Sequence, residues 1–152
     1  MVTPLAAAHE RLGAAMTPFA GWRMPLRYGS ETAEHNAVRS SAGLFDLSHM
    51  GEITVSGPQA GPLLDYALVG ELAALSPGRA RYTMMCGPDG GIIDDLVVYR
   101  RSAESFLVVA NASNAAEVYS ELVARGEGYD ATVTDETASY ALIAIQGPRA
   151  AG

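Results

Sequence analysis

Hydrophobic and polar positions change their period along this chain, and the changes mark out its elements. From Glu52 the residues alternate, with Ile53 and Val55 apolar, so the period of two predicts a strand over 52–57. Gly57-Pro58 turns the chain. Leu63, Leu64, Ala67 and Leu68 then recur at helical spacing, which predicts a helix over 58–69 that begins at Gly61 or Pro62, where proline suits a first turn. Strands follow over 80–86, 92–100 and 105–110, the first two joined by the turn cluster Gly87-Pro88-Asp89-Gly90-Gly91. Ala115, Val118, Tyr119 and Leu122 form the apolar stripe of an amphipathic helix over 111–125. Runs at 129–134 and 140–145 read as two more strands.

The pattern before Glu52 is less regular. Thr3-Pro4 opens a short helix that ends near Gly13. Phe19 to Leu26 carries glycine and proline punctuation and reads as irregular. A helix over 30–41 takes Ser30 as its N-cap and Gly43 as its stop. The order over 52–134 is β-α-β-β-β-α-β, which resembles a ferredoxin-like α+β unit with one extra strand. The expected domains are residues 1–51 as the first part of one domain, 52–134 as an inserted α+β domain, and 135–152 as the return into the first. Gln146 to Gly152 looks like a helix being started, and the chain reads as the N-terminal piece of something longer.

Composition narrows the chemistry. The length of 152 residues suits one domain or a little more, and 49% hydrophobic against 18% charged residues is a folding composition. No run approaches the roughly 18 apolar residues of a membrane span, and the first twelve residues lack the pattern of a secretory signal. The net charge is −7 without a basic run, which argues against nucleic-acid binding. All ten cations are arginine, so a Schiff-base lysine and a P-loop lysine are both excluded. The single cysteine, Cys86, fits a reducing cytoplasm and reads as a small buried hydrophobe. Three scattered histidines and one cysteine make a poor metal set.

Four places could carry chemistry. Asp94 and Asp95 sit inside an apolar strand, and adjacent strand residues face opposite ways. Asp95 shares a face with Ile93, Val97 and Tyr99, and Asp94 shares the other with Leu96 and Val98. Each carboxylate either caps a turn or faces a cleft, because burying one unpaired is expensive. The Gly-Pro-Asp-Gly-Gly cluster opens a strand, so it reads as a hairpin turn rather than a phosphate cradle. Asp46, Ser48 and His49 lie too close along one chain to form a hydrolytic triad, and that segment reads as a pocket-lining or junction loop, with Met50 a soft apolar contact or core filler. Tyr82, Tyr99 and Asn111 come from three successive strands and could hold a planar heterocycle, although tyrosine is also a good strand former. Trp22 reads as a packing anchor.

Taken together, Thr3-Pro4-Leu5, Phe19-Ala20-Gly21-Trp22 with Met24-Pro25, Leu44 to Gly51, Gly90-Gly91-Ile92-Ile93-Asp94-Asp95-Leu96, Val109 to Asn114 and Ile145-Gln146-Gly147-Pro148 closely resemble, in order, the aminomethyltransferase (T-protein) family of the glycine cleavage system. The resemblance implies the folate-binding aminomethyltransferase fold. It also implies transfer of an aminomethyl carbon from the lipoyl arm of H-protein to tetrahydrofolate, with release of ammonia and no metal. It makes Asp95 the key acidic group and Met50, Tyr82, Tyr99 and Asn111 folate contacts. Members of the family are more than twice this length, so the chain alone is expected to be poorly active. The alternative is a truncated, catalytically silent module that binds folate or a partner.

Overall fold

The computed structural model describes residues 1–151. In chain order the elements are α1 (Ala6–Arg11), β1 (Ala15–Phe19), β2 (Trp22–Arg27), α2 (Glu31–Ser40), β3 (Gly43–Asp46), β4 (Gly51–Ser56), α3 (Ala60–Ala67), β5 (Ala80–Cys86), β6 (Ile92–Ser102), β7 (Ser105–Ala110), α4 (Ala115–Arg125), β8 (Thr132–Asp135), a 3₁₀ turn (Thr137–Ser139) and β9 (Ile143–Gln146). They form two compact units, one of residues 1–49 with the stretch from Tyr140 onward, the other of Met50–Ser139. The fold is mixed α and β with antiparallel sheets.

The second unit is one five-stranded antiparallel sheet, ordered β5-β6-β7-β4-β8. The strand periodicity decides which residues go inward. Ile53 and Val55 of β4, Leu96 and Val98 of β6, and Phe106 and Val108 of β7 all point to one face and are buried. Leu63 and Leu64 of α3, and Val118 and Leu122 of α4, close over that face to complete the core. The opposite face of β5, β6 and β7 carries Tyr82, Asp95 and Tyr99, all exposed. Helix α3 holds Pro62 at its third residue, where the missing N–H has no intrahelical duty, so the helix starts at Ala60, slightly earlier than the proline alone suggests. Helix α4 starts at Ala115 rather than 111, because Asn111–Asn114 form a turn closed by the Asn114 N–H on the Asn111 carbonyl.

The first unit departs furthest from the sequence reading. The segment read as irregular is a hairpin: β1 pairs with β2, and Ala20 and Gly21 turn the chain with φ of 47° and 80°. Two positive φ values in a two-residue loop are those of a type I′ turn. Pro18 and Pro25 disguise the strands, but a two-stranded ribbon has free edges where proline is tolerated. Gly43 does not stop α2; it opens β3, which pairs with β9 about a hundred residues further on. Ser30 does cap α2, its Oγ accepting from the Ala33 N–H at 3.3 Å. Trp22 is buried, as a packing anchor should be. Cys86, read as buried, is only half-buried.

Candidate active site

The site is built on the middle of β6. Asp94 and Asp95 point to opposite faces, as their spacing predicts, and the two faces treat them differently. Asp94 points inward and is buried. Its carboxylate is not left unpaired: it accepts the Asn111 backbone N–H at 2.9 Å, the Asn111 side-chain amide at 3.0 Å and the Asn114 side-chain amide at 2.8 Å. Three donors offset the cost of placing a charge in the core. They come from the turn between β7 and α4, so this turn is folded around a carboxylate of the neighbouring strand.

Asp95 is exposed on the outer face. Its Oδ2 accepts the Tyr82 hydroxyl at 2.6 Å, and its Oδ1 accepts the Asn111 amide at 3.1 Å. Tyr82 reaches it diagonally from β5, where Tyr82 stands opposite Val97 and Met84 opposite Asp95. The hydrogen bond to the Asp95 anion is the main reason the Tyr82 phenol is held above its ordinary pKa, with desolvation and the charges of Asp95 and Asp94 adding to it. Three of the five residues singled out from sequence, Asp95, Tyr82 and Asn111, are thus joined by hydrogen bonds.

Tyr99 shares the outer face and is exposed, but it lies four residues along β6 from Asp95, roughly 13 Å at the rise of a strand. Met50 is half-buried and immediately precedes Gly51, which pairs with Ala110 beside Asn111. Sequence reasoning missed Asp94 and Asn114 as the support of the site. The signal was present as two asparagines three residues apart after a strand, a spacing that makes a turn able to wrap an anion.

Glu52 of β4 was also missed. It lies in one ladder row with Val109, Val97 and Tyr82, so its side chain is on the face that carries Asp95. It is 1% exposed, and neither carboxylate oxygen has a hydrogen-bond partner. Burial, aided by the nearby Asp135 charge, raises its pKa to about 7.

The first unit holds a separate polar cluster. His9 links the Tyr28 hydroxyl at 2.6 Å to Asp46 Oδ2 at 2.7 Å, and Thr3 donates to the same oxygen. Burial alone would raise the Asp46 pKa, but hydrogen bonds from Ser48, Thr3 and His9 outweigh it and hold the carboxyl below its usual range. Asp46 therefore pairs with His9, not with His49, whose ring meets Phe19 edge-on. A groove of about 480 Å³ beside this cluster is lined by Leu26, Tyr28, Glu34, Val38 and Phe45, among others. Among the described residues no group of three or more His, Cys, Asp or Glu side chains is placed to hold a metal ion, and no helix is long and apolar enough to cross a membrane.

The profile of the GCVT N-terminal domain family matches residues 5–152. This chain belongs to the aminomethyltransferase family of the glycine cleavage system, within its N-terminal domain. It is 64% identical over 150 residues to the aminomethyltransferase of Streptomyces avermitilis and 62% identical to that of Streptomyces coelicolor, covering 99% of this chain in each case. The chain spans 40% of the length of each of these relatives. The crystal structure of glycine cleavage system aminomethyltransferase T from Bartonella henselae superposes with a TM-score of 0.93 at 43% identity, over 99% of this chain and 42% of that one. Both Streptomyces relatives are named aminomethyltransferases.

Proposed function

We propose that this chain supplies part of a folate-dependent aminomethyltransferase, which moves the aminomethyl carbon from the lipoyl sulfur of H-protein to tetrahydrofolate and releases ammonia and dihydrolipoyl H-protein. The observation that carries the reading is the Asp95 carboxylate, open on the outer sheet face yet oriented by the Tyr82 hydroxyl at 2.6 Å and the Asn111 amide at 3.1 Å. A carboxylate held in this way can orient an incoming amine, accept its proton and stabilise the positive charge that develops as ammonia departs. Asp95 is the central acidic group. Tyr82 and Asn111 hold it, and with Tyr99 and Met50 they wall the folate. The second unit is a ferredoxin-like arrangement in which β5 is the added edge strand. The setting is the cytoplasm.

The test uses the chain continued to the full length of its relatives. Asp95→Asn should keep the fold, with an unchanged melting temperature, and lose turnover by about a hundredfold or more, the scale of a lost acid–base group. Turnover within a few-fold of the parent would remove Asp95 from the reaction.

A further inference from the structure

We propose that Asp94, buried on the far side of the sheet, sets the hydrogen-bonding polarity of the Asp95 face. It locks the Asn111 amide with its nitrogen toward the carboxylates and leaves the amide oxygen for the ligand. The inference rests on the folate reading above and deepens it.

The orientation of an asparagine amide is decided by its partners. The Asn111 amide nitrogen lies 3.0 Å from Asp94 Oδ1, 3.1 Å from the Asp95 carbonyl and 3.1 Å from Asp95 Oδ1. All three are acceptors. An amide oxygen turned to that position would face three oxygens, two of them on carboxylates, so only the nitrogen is tolerated there. Its two hydrogens serve three acceptors and none is left over. The Tyr82 hydroxyl hydrogen is likewise committed to Asp95 Oδ2. The cluster then offers a ligand only acceptors: the remaining lone pairs of the Asp95 carboxylate, the Asn111 amide oxygen and the Tyr82 oxygen. Tyr99, the other polar side chain singled out on this face of β6, stands four residues away along the strand, outside the cluster.

A site of acceptors selects donors. It takes a protonated amine or a heterocycle whose edge carries N–H groups, and it rejects the same ring when those nitrogens have lost their hydrogens. Ring reduction makes this difference in a pterin, because tetrahydrofolate bears N–H at ring positions 5 and 8 where oxidised folate has bare nitrogens. Asp94 touches no ligand in this scheme. It is a positioning residue that acts through Asn111, and Asn114 steadies it from the end of the same turn by donating to the same oxygen.

Two measurements on the 152-residue protein test this. The first is the ratio of dissociation constants for folate and tetrahydrofolate by titration calorimetry under anaerobic conditions. The parent should prefer tetrahydrofolate by about tenfold, the discrimination of roughly one charge-assisted hydrogen bond. Asp94→Asn takes away one of the two carboxylates that hold the Asn111 nitrogen and sets an amide N–H group beside it, which weakens the lock left to Asp95 and should bring the ratio toward one. A folded Asp94→Asn protein that keeps the parent ratio overturns the proposal. The second is the Asn111 side-chain amide in a ¹⁵N-labelled sample, assigned by its loss in Asn111→Ala. Its two protons should exchange slowly in the parent and freely in Asp94→Asn; free exchange in the parent overturns the proposal. Should Asp94→Asn fail to fold, Asn114→Ala loosens Asp94 without altering it and should shift both readouts in the same direction by a smaller amount. If the parent binds neither pterin yet protects the amide, and Asp94→Asn releases it, the positioning role stands and the folate reading falls.

Discussion

At the scale of single residues, one sheet assigns different fates to three carboxylates. The Asp94 carboxylate is buried and held by three donors; that of Asp95 is exposed and held by two; that of Glu52 is buried with no hydrogen-bond partner. The last has a measurable consequence. Its pKa of about 7 in the folded protein lies above the ordinary carboxyl value of 4.5, so the folded state holds a proton that the unfolded chain gives up. The resulting stability is fully present below pH 4.5 and is lost as pH rises to about 7, a change of a few kcal/mol at most. Glu52→Gln removes the titration. Its melting temperature should match the parent near pH 5 and exceed it by about 5 °C at pH 8, as followed by circular dichroism. Parallel pH profiles for the two proteins would show that Glu52 does not titrate in this range.

At the scale of elements, helix α4 does more than cover the sheet. Arg125 in its last turn donates to the Ala67 carbonyl at 2.8 Å, at the C-terminal end of α3, and to the Cys86 carbonyl at 2.9 Å, at the end of β5. Glu121, one turn earlier, fixes the guanidinium with contacts of 2.9 and 2.6 Å. The terminal carbonyls of a helix have no partner within it, so this arginine ties a helix end and a strand end to a second helix. Arg125→Ala should cost about 2 kcal/mol, read as a lower denaturation midpoint at unchanged slope. Arg125→Lys should recover less than half, because one ammonium cannot span both carbonyls and Glu121 in the geometry of a planar fork. Full recovery by lysine would mean that charge alone matters at this position.

At the scale of the whole molecule, the two-stranded β3–β9 sheet sets solution behaviour. Leu44 and Ile145 are directly paired and lie 73% and 59% exposed, and Ile143 follows on the same face at 53%. Contiguous exposed apolar side chains beside unpaired strand edges favour self-association. Sedimentation should show association of the 152-residue protein at tens of micromolar, and Leu44→Lys with Ile145→Lys should restore the monomer. An unmodified protein that stays monomeric at those concentrations would show that this sheet is not adhesive.

How much was legible in the chain depended on the range of the contacts involved. The second unit reads well because its strands alternate cleanly and its turns are local: the order from β4 to β8, the inward set Ile53, Val55, Leu96 and Val98, and the opposed faces of Asp94 and Asp95 all follow from a period of two. The β1–β2 hairpin was hidden by prolines that only a free edge accommodates. The β3–β9 pairing was hidden because its partners are a hundred residues apart and no local period couples them. The same division holds in the site. Motif and face could bring Asp95, Tyr82 and Asn111 into consideration, but which atom of Asn111 faces Asp95, and the burial of Glu52 without a partner, are decided only once strands from distant parts of the chain lie side by side. Hydrophobic periodicity determines which way a residue points; tertiary packing determines what it meets there, and polar groups take their protonation and hydrogen-bonding roles from that meeting.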